Sequence, residues 1–192
     1  MSDRPKILAF AGSARKESFN KPLVQTAAKM AEQLGAEVTL IDLADYTLPL
    51  FDQDLEAEGT PENAIRLKEL FLAHDALLIS APEYNSSITP LLKNTIDWVS
   101  RPAEGEPSLA AYRGKTAALL SASPGALGGM RGLAHLRDIL GNIGVLVVPS
   151  EASISQANKA FNDSGELADE KQRDRVEGVV RMLVETTSKL RS

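Results

Sequence analysis

The sequence predicts a doubly wound α/β domain built on a parallel sheet. Short apolar runs alternate along it with longer segments whose apolar residues recur at helical spacing. The runs are continuous rather than alternating, the pattern of strands buried on both faces. The chain has 192 residues, 43% of them hydrophobic, which suits one domain with a full-sized core. No internal repeat or shift in composition marks a second unit, so a single domain is expected over residues 1–192.

The elements follow in order. Lys6–Ala11 is the first strand. The turn Gly12-Ser13-Ala14-Arg15-Lys16-Glu17-Ser18-Phe19-Asn20 comes next, and Leu23, Ala27, Met30, Ala31 and Leu34 then mark a helix that Gly35 ends as a C-cap. Glu37–Asp42 is the second strand, parallel to the first through a right-handed crossover. Leu43–Gly59 reads as a polar, proline-containing stretch tethered by Leu48, Leu50 and Phe51; its acidic residues lack calcium-loop spacing and read as solvated. Thr60 is expected to cap a helix with Pro61 at its first position, and His74 to sit at that helix's C-terminus as a dipole partner. Ala76–Ala81 is the third strand. A helix with Leu91, Leu92, Thr95, Ile96 and Val99 on one face follows the loop that starts at Pro82. Lys115–Ser123 is the fourth strand, Met130–Ile143 a helix, Val145–Val148 the fifth strand. A polar connection, Glu151–Gly165, leads to an amphipathic helix over Leu167–Leu190.

Composition removes several classes of function. The net charge is −5, with both signs mixed along the chain, so there is no basic footprint for nucleic acid or anionic membrane. There is no cysteine, which excludes disulfides, thiolate catalysis and iron–sulfur clusters. Two histidines, His74 and His135, are too few to suggest a His-based metal centre, and no metal site is expected. The N-terminus leads straight into a strand and no apolar run reaches membrane-spanning length, so a cytoplasmic protein is expected.

The chemistry gathers at three loops. In open α/β sheets ligands bind beyond the carboxyl ends of the strands, where strand order reverses. Gly12–Asn20, Pro82–Thr89 and Ser123–Gly129 leave the ends of strands one, three and four. The first joins a strand to a helix N-terminus, whose free N–H groups and partial positive charge attract anions. Ser13, Ser18, Arg15 and Asn20 add donors that suit the three acceptor oxygens of a phosphate monoester. Any one of them alone is equally an ordinary turn residue; the set after a buried strand is not. The turn carries neither G-x-G-x-x-G nor G-x-x-x-x-G-K-[ST], so neither a dinucleotide fold nor a nucleoside-triphosphatase loop is indicated. A hydroxyl-built phosphate turn is the pattern of flavodoxin-like folds that hold FMN. In the second loop, Pro82-Glu83-Tyr84-Asn85 offers a rigid start, an aromatic ring and free N–H groups to the edge and face of an isoalloxazine. The third, Ser123-Pro124-Gly125-Ala126-Leu127-Gly128-Gly129, is glycine-rich, so its backbone can approach a flat ring. Its N–H groups would stabilise negative charge on reduced flavin.

On these residues the sequence resembles the NADPH-dependent FMN reductase family, which includes bacterial chromate, quinone and azo-dye reductases. The resemblance rests on Gly12-Ser13-x-Arg15-x-x-Ser18-x-Asn20, Pro82-Glu83-Tyr84-Asn85, Lys93-Asn94-x-x-Asp97-Trp98 and Ser123-x-Gly125-x-x-Gly128-Gly129. It implies a flavodoxin-like three-layer sandwich with a five-stranded parallel sheet of order 2-1-3-4-5 and helices on both faces. It also implies FMN as cofactor and NADPH, or NADH, as co-substrate. By resemblance, Ser13, Arg15, Ser18 and Asn20 bind the phosphate, Pro82, Glu83, Tyr84 and Asn85 contact the flavin, and Ser123, Gly125, Gly128 and Gly129 close over its other edge. No protein group is catalytic in this reading; the flavin carries the redox chemistry. Acceptors would be quinones, azo compounds, metal oxyanions or flavin. The family implies a homodimer or homotetramer. The Leu91–Val99 helix is a candidate interface, with Trp98 either there or in the core. Lys93, Asn94 and Asp97 are expected to orient the flavin loop. The competing reading is a flavodoxin-like electron carrier without nicotinamide turnover. A flavin-free sugar-phosphate enzyme is a third, with Glu83 as its one well-placed carboxylate.

Overall fold

In the computed structural model, which describes residues 4–162 and 164–191, each apolar run becomes a strand and each helical pattern a helix. The order is β1 (Lys6–Ala11), α1 (Asn20–Gln33), β2 (Glu37–Ile41), α2 (Gln53–Glu58), α3 (Glu62–Ala73), β3 (Ala76–Ser80), β4 (Glu83–Tyr84), β5 (Ser87–Ile88), α4 (Pro90–Val99), β6 (Thr116–Ala122), α5 (Met130–Asn142), β7 (Leu146–Ile154), α6 (Ala157–Ala160) and α7 (Glu170–Arg191). β2, β1, β3, β6 and β7 form one sheet in that order, all parallel. This is the expected 2-1-3-4-5 arrangement, and the order reverses between β1 and β3. The loops after β1, β3 and β6 therefore share one end of the sheet.

Side-chain alternation splits the core in two. Ile7, Ala9 and Ala11 of β1 face α1 and α7, where Leu23, Ala27, Val180 and Leu183 cover them. Leu8 and Phe10 face α3, α4 and α5, against Leu67, Phe71, Leu92, Ile96 and Leu136. β3 and β6 are buried along their whole length, as strands covered on both faces must be. Each large side chain so buried contributes about 1.5–3 kcal/mol. No helix among the described residues is long and apolar enough to cross a membrane.

The structure departs from the sequence reading at several edges. β7 continues past Val148 to Ile154. Its pairing with β6 slips between Ala117 and Leu119, so that Val147 pairs with Ala117 but Glu151 with Leu119. Pro149 falls in this irregular stretch, where its missing N–H costs no ladder bond, and Ala152 and Ile154 return to the core. Pro61 itself caps α3, and no side-chain bond from Thr60 is formed. α7 starts at Glu170, behind Asp169, whose Oδ1 accepts from the Gln172 N–H at 2.9 Å. The acidic stretch after β2 is folded locally: Asp52 caps α2, accepting from the Asp54 N–H at 2.7 Å and the Leu55 N–H at 3.4 Å. Leu50 is not a tether, being 80% exposed.

Trp98 is core. It is 1% exposed, packs edge-on against Phe51 with ring centroids 5.0 Å apart, and donates its indole N–H to the Pro49 carbonyl at 2.8 Å. Asn94 binds the same segment, donating to the Pro49 carbonyl at 2.9 Å and accepting from the Phe51 N–H at 2.8 Å. Lys93 and Asp97 pair with each other at 2.8 Å on the helix surface. Asn94 and Trp98 thus hold the Pro49–Phe51 stretch, and the Lys93–Asp97 pair stays on the helix surface; none of the three expected to orient the flavin loop bonds to it through these contacts. His74 does close α3: Nδ1 lies 2.6 Å from the Leu70 carbonyl oxygen and Nε2 2.8 Å from Thr39 Oγ1 of β2.

Candidate functional site

The three loops enclose a cleft of about 120 Å³ at the carboxyl end of the sheet. Ser13, Arg15, Ser18, Phe19 and Asn20 line one side; Pro82, Glu83 and Tyr84, with Ala122, Ser123 and Pro124, line the other. Drug-sized pockets run to about 300–1,000 Å³, so the cleft has room for one end of such a molecule and not for the whole of it. A roomier cavity of about 280 Å³ lies toward β2 between Lys21, Leu40 and Asp42. Its ammonium is already paired with a carboxylate, at 2.5 Å, so it presents no comparable donor set.

The first loop leaves β1 at Gly12, whose N–H donates to the Ser80 carbonyl at 2.9 Å and whose carbonyl accepts from Thr89 Oγ1 at 2.7 Å. A Cβ there would lie 3.0 Å from Leu92 Cδ2, so glycine is needed for close packing on α4 and not for a sharp turn. The Ser13 and Ser18 hydroxyl oxygens accept from the Arg15 and Asn20 N–H groups, at 3.2 and 3.4 Å. Those bonds orient the oxygens and leave each O–H free to donate. Arg15 is exposed and has no ion-pair partner among the described residues. α1 begins without a side-chain cap and without an acidic residue in its first turn. Two hydroxyls, one guanidinium and an uncompensated helix N-terminus make a donor set that fits a phosphate.

Asn20 plays a different part from its neighbours. It is 2% exposed; its Nδ2 donates to the Ala122 carbonyl at 3.0 Å, and its Oδ1 accepts from the Ala122 N–H at 3.0 Å and from Ser80 Oγ at 2.8 Å. The amide ties the start of α1 to the ends of β3 and β6. It holds the loop in place from within the cleft lining.

In the second loop, β4 and β5 pair antiparallel, Glu83 with Ile88 and Tyr84 with Ser87. Asn85 and Ser86 turn the hairpin at φ of 51° and 66°. This is the left-handed pair a two-residue hairpin demands, with asparagine suited to the first place. Tyr84 is 50% exposed at the rim. The Glu83 side chain turns away toward α5: Oε1 accepts from Arg131 Nε at 2.9 Å and Nη2 at 2.6 Å, and Oε2 from the Arg131 and Gly132 N–H groups at 3.0 and 3.1 Å. Its carboxylate is therefore committed, and no free carboxylate or imidazole is left among the residues lining the cleft. Burial alone would raise the Glu83 carboxyl, but the Arg131 and Gly132 bonds outweigh it and hold the group below its ordinary value of 4.5. A carboxylate so held stabilises the fold above its unfolded value and loses that contribution as pH falls through the folded one. Thermal melts between about pH 6 and pH 3 are expected to fall, and Glu83→Gln to flatten the portion below about pH 4.5. Parallel profiles for the two proteins would remove Glu83 as a source of acid sensitivity.

The third loop is held by the protein more than it is offered to a ligand. The Ser123 N–H donates to the Ile154 carbonyl at 3.0 Å, and Ser123 Oγ accepts from the Gly125 N–H at 3.2 Å. Gly128 and Gly129 have φ of 61° and 92°. A Cβ on Gly128 would lie 2.9 Å from the Ile154 carbonyl carbon, and one on Gly129 1.9 Å from Ser121 Oγ. The faces on which a Cβ would sit thus meet β7 and β6. Gly125, Gly128 and Gly129 lie outside the cleft lining, whereas Ser123 and Pro124 are in it.

The site candidates read from the sequence include no residue of α5. Arg131 and His135, four apart on one helix face, both reach the hairpin, His135 Nδ1 lying 2.9 Å from Ser87 Oγ. Their spacing after Gly128-Gly129 was the available signal.

The whole arrangement has close counterparts. The family model described as NADPH-dependent FMN reductase matches residues 5–159. An NAD(P)H-dependent FMN reductase of Pseudomonas aeruginosa is 39% identical over 184 residues, 95% of each chain. A quinone reductase of Pseudomonas putida is 36% identical over 171 residues, 88% of each chain. Among solved structures, FerB, a flavoenzyme NAD(P)H:(acceptor) oxidoreductase from Paracoccus denitrificans, aligns with a TM-score of 0.83 at 33% identity, over 96% of this chain and 98% of its own.

Proposed function

The chain belongs to the NADPH-dependent FMN reductase family, and from that premise we propose that its cleft seats the FMN phosphate on Ser13, Arg15 and Ser18. The protein is an FMN-dependent NAD(P)H oxidoreductase. The observation that carries the site assignment is the donor set of the first loop: two oriented hydroxyls and an unpaired guanidinium at an uncapped helix N-terminus. Asn20 serves by locking that loop to β3 and β6. Pro82, Tyr84 and Asn85 on one side and Ser123 on the other would hold the isoalloxazine; Glu83 shares the cleft lining with its carboxylate bonded to α5, and Gly125, Gly128 and Gly129 support the walls from outside the lining.

FMN supplies the two-electron chemistry when bound, accepting hydride from the nicotinamide and passing electrons to a quinone or related acceptor. The protein's own share is placement. The hydroxyls and Arg15 hold the phosphate end, and the hairpin presents Tyr84 and the backbone at the ring end. The commitment of Glu83, the one carboxylate in the cleft lining, to α5 suits a reaction that needs no carboxylate base from the protein. Tyr84, Leu127 and, at the start of α5, Met130 are each about half exposed around the ring end. This open side supports a homodimer, alone or paired into a tetramer, in which a second copy shelters the ring; light scattering of the purified protein would test it.

Arg15→Ala is expected to raise the FMN Kd about tenfold to a hundredfold, the worth of one charge-assisted bond. Stability of the flavin-free protein should change by less than about 0.5 kcal/mol, since Arg15 is exposed and has no ion-pair partner among the described residues. Fluorescence titration with FMN checks the first figure and urea unfolding the second. Unchanged FMN affinity would take Arg15 out of the phosphate site. Mixing yellow protein with NADPH without oxygen should bleach the flavin rapidly; slow bleaching would mark an electron carrier instead.

A further inference from the structure

We propose that Glu83 is a positioning residue that fastens both ring-side loops to α5 and makes them one rigid wall of the flavin site. The proposal rests on the assignment of the cleft to FMN. α5 begins at Met130 behind Gly129, which has no side chain to cap it, and the helix carries no acidic residue in its first turn. The helix start is instead capped from another part of the chain. Glu83 Oε2 accepts from the Arg131 and Gly132 N–H groups, while Oε1 takes the Arg131 guanidinium. A carboxylate at a helix N-terminus is favoured by the unpaired N–H groups and by the helix dipole. Guanidinium bonds to the same carboxylate fix its orientation.

This latch reaches both walls. Glu83 is the first residue of the hairpin whose next member, Tyr84, lines the cleft. The second hairpin strand is tied to the same helix face by Ser87 and His135. Gly132 lets the two surfaces meet: a Cβ there would lie 3.1 Å from the Ser87 carbonyl oxygen and 3.4 Å from Glu83 Cα. The third loop runs into α5 through Gly128 and Gly129. The hairpin has two strands of two residues and a turn with both central residues at positive φ. Such a ribbon does not hold its shape alone. Its shape comes from α5, and Glu83 is the strongest of the links.

Glu83→Gln keeps the side chain's shape but removes the charge and puts an amide donor where two donors already converge. The experiment compares wild type, Glu83→Gln and Arg131→Met, first flavin-free by hydrogen exchange, then with FMN by titration, visible spectroscopy and steady-state kinetics. Glu83→Gln is expected to speed exchange of the amides in 84–88 and 125–132, leaving those of β1 and β3 unchanged. It should raise the FMN Kd about tenfold, blur the vibrational shoulders of the flavin band, and lower kcat while the KM for NADPH stays within about twofold. A merely structural link would not move the spectrum or split kcat from KM. Arg131→Met should show the same changes at smaller size, because the two backbone bonds remain; if Glu83→Gln does not fold, this variant carries the comparison. Unchanged exchange in both segments overturns the latch. Faster exchange with unchanged FMN Kd, spectrum and kcat overturns the positioning role. Wild-type protein that takes up no FMN fails at the first titration, and that outcome overturns the cleft assignment and this proposal with it.

Discussion

Gly129→Ala is expected to destabilise the flavin-free protein by about 2–5 kcal/mol, read from the midpoint of urea unfolding. Two penalties add. The backbone at φ 92° is one that a side chain with Cβ avoids, and that Cβ would fall 1.9 Å from Ser121 Oγ. Ser121 is fully buried on β6 and its hydroxyl has no hydrogen-bond partner among the described residues, so no bond holds the Oγ against the clash, but burial on every side leaves it little room to turn away. This supplies a control. Ser121→Ala alone should be neutral to slightly stabilising, since it removes an unpaired buried hydroxyl. In the double variant the worst contact disappears, but a 3.0 Å approach to the residue 121 Cβ and the backbone cost remain. Ser121→Ala should therefore recover part of the Gly129→Ala loss. A Gly129→Ala protein within about 1 kcal/mol of wild type would mean that the turn moves freely, and that the glycine is not there for packing.

Asn20→Ala is expected to cost about 3–5 kcal/mol in the same measurement, several times the change for Arg15→Ala. The amide serves three groups at once: the Ala122 N–H, the Ala122 carbonyl and Ser80 Oγ. Alanine leaves all three buried and short of a partner, at about 1–3 kcal/mol each before relaxation. Bound FMN should fall away as well, because the first loop loses its attachment to β3 and β6. The two variants thus separate two roles that the loop composition runs together. Arg15→Ala should weaken the cofactor and spare the fold, whereas Asn20→Ala should weaken the fold and lose the cofactor through it. Equal stabilities for the two flavin-free proteins would refute the division.

What could be read from the sequence was what depends on neighbours along the chain. Strand and helix are set by periodicities of two and 3.6 residues, so the alternation of elements, the 2-1-3-4-5 order implied by resemblance and the three loops at one end of the sheet all stand in the structure. The donors of the first loop were legible for the same reason: Ser13, Arg15 and Ser18 lie within six residues of one another before one helix. The edges were less legible where a local rule met a tertiary one, as at Pro149, which reads as a strand end yet falls in an irregularity that lets β7 run on to Ile154.

Only the tertiary structure decided which way each site residue faces. Asn20 looks like a phosphate ligand until Ala122, 102 positions away, takes both ends of its amide. Glu83 sits in the flavin loop, but its carboxylate belongs to α5, 48 and 49 positions on. Gly128 and Gly129 show a bare face in any reading, and the sequence is silent on whether a ligand or a strand lies against it. A hydrogen bond or a van der Waals contact has a range of a few ångströms in space and none along the chain. The sequence by itself therefore determined what the loops contain, and the packing of β3, β6 and α5 decided which of those groups are left for the cofactor.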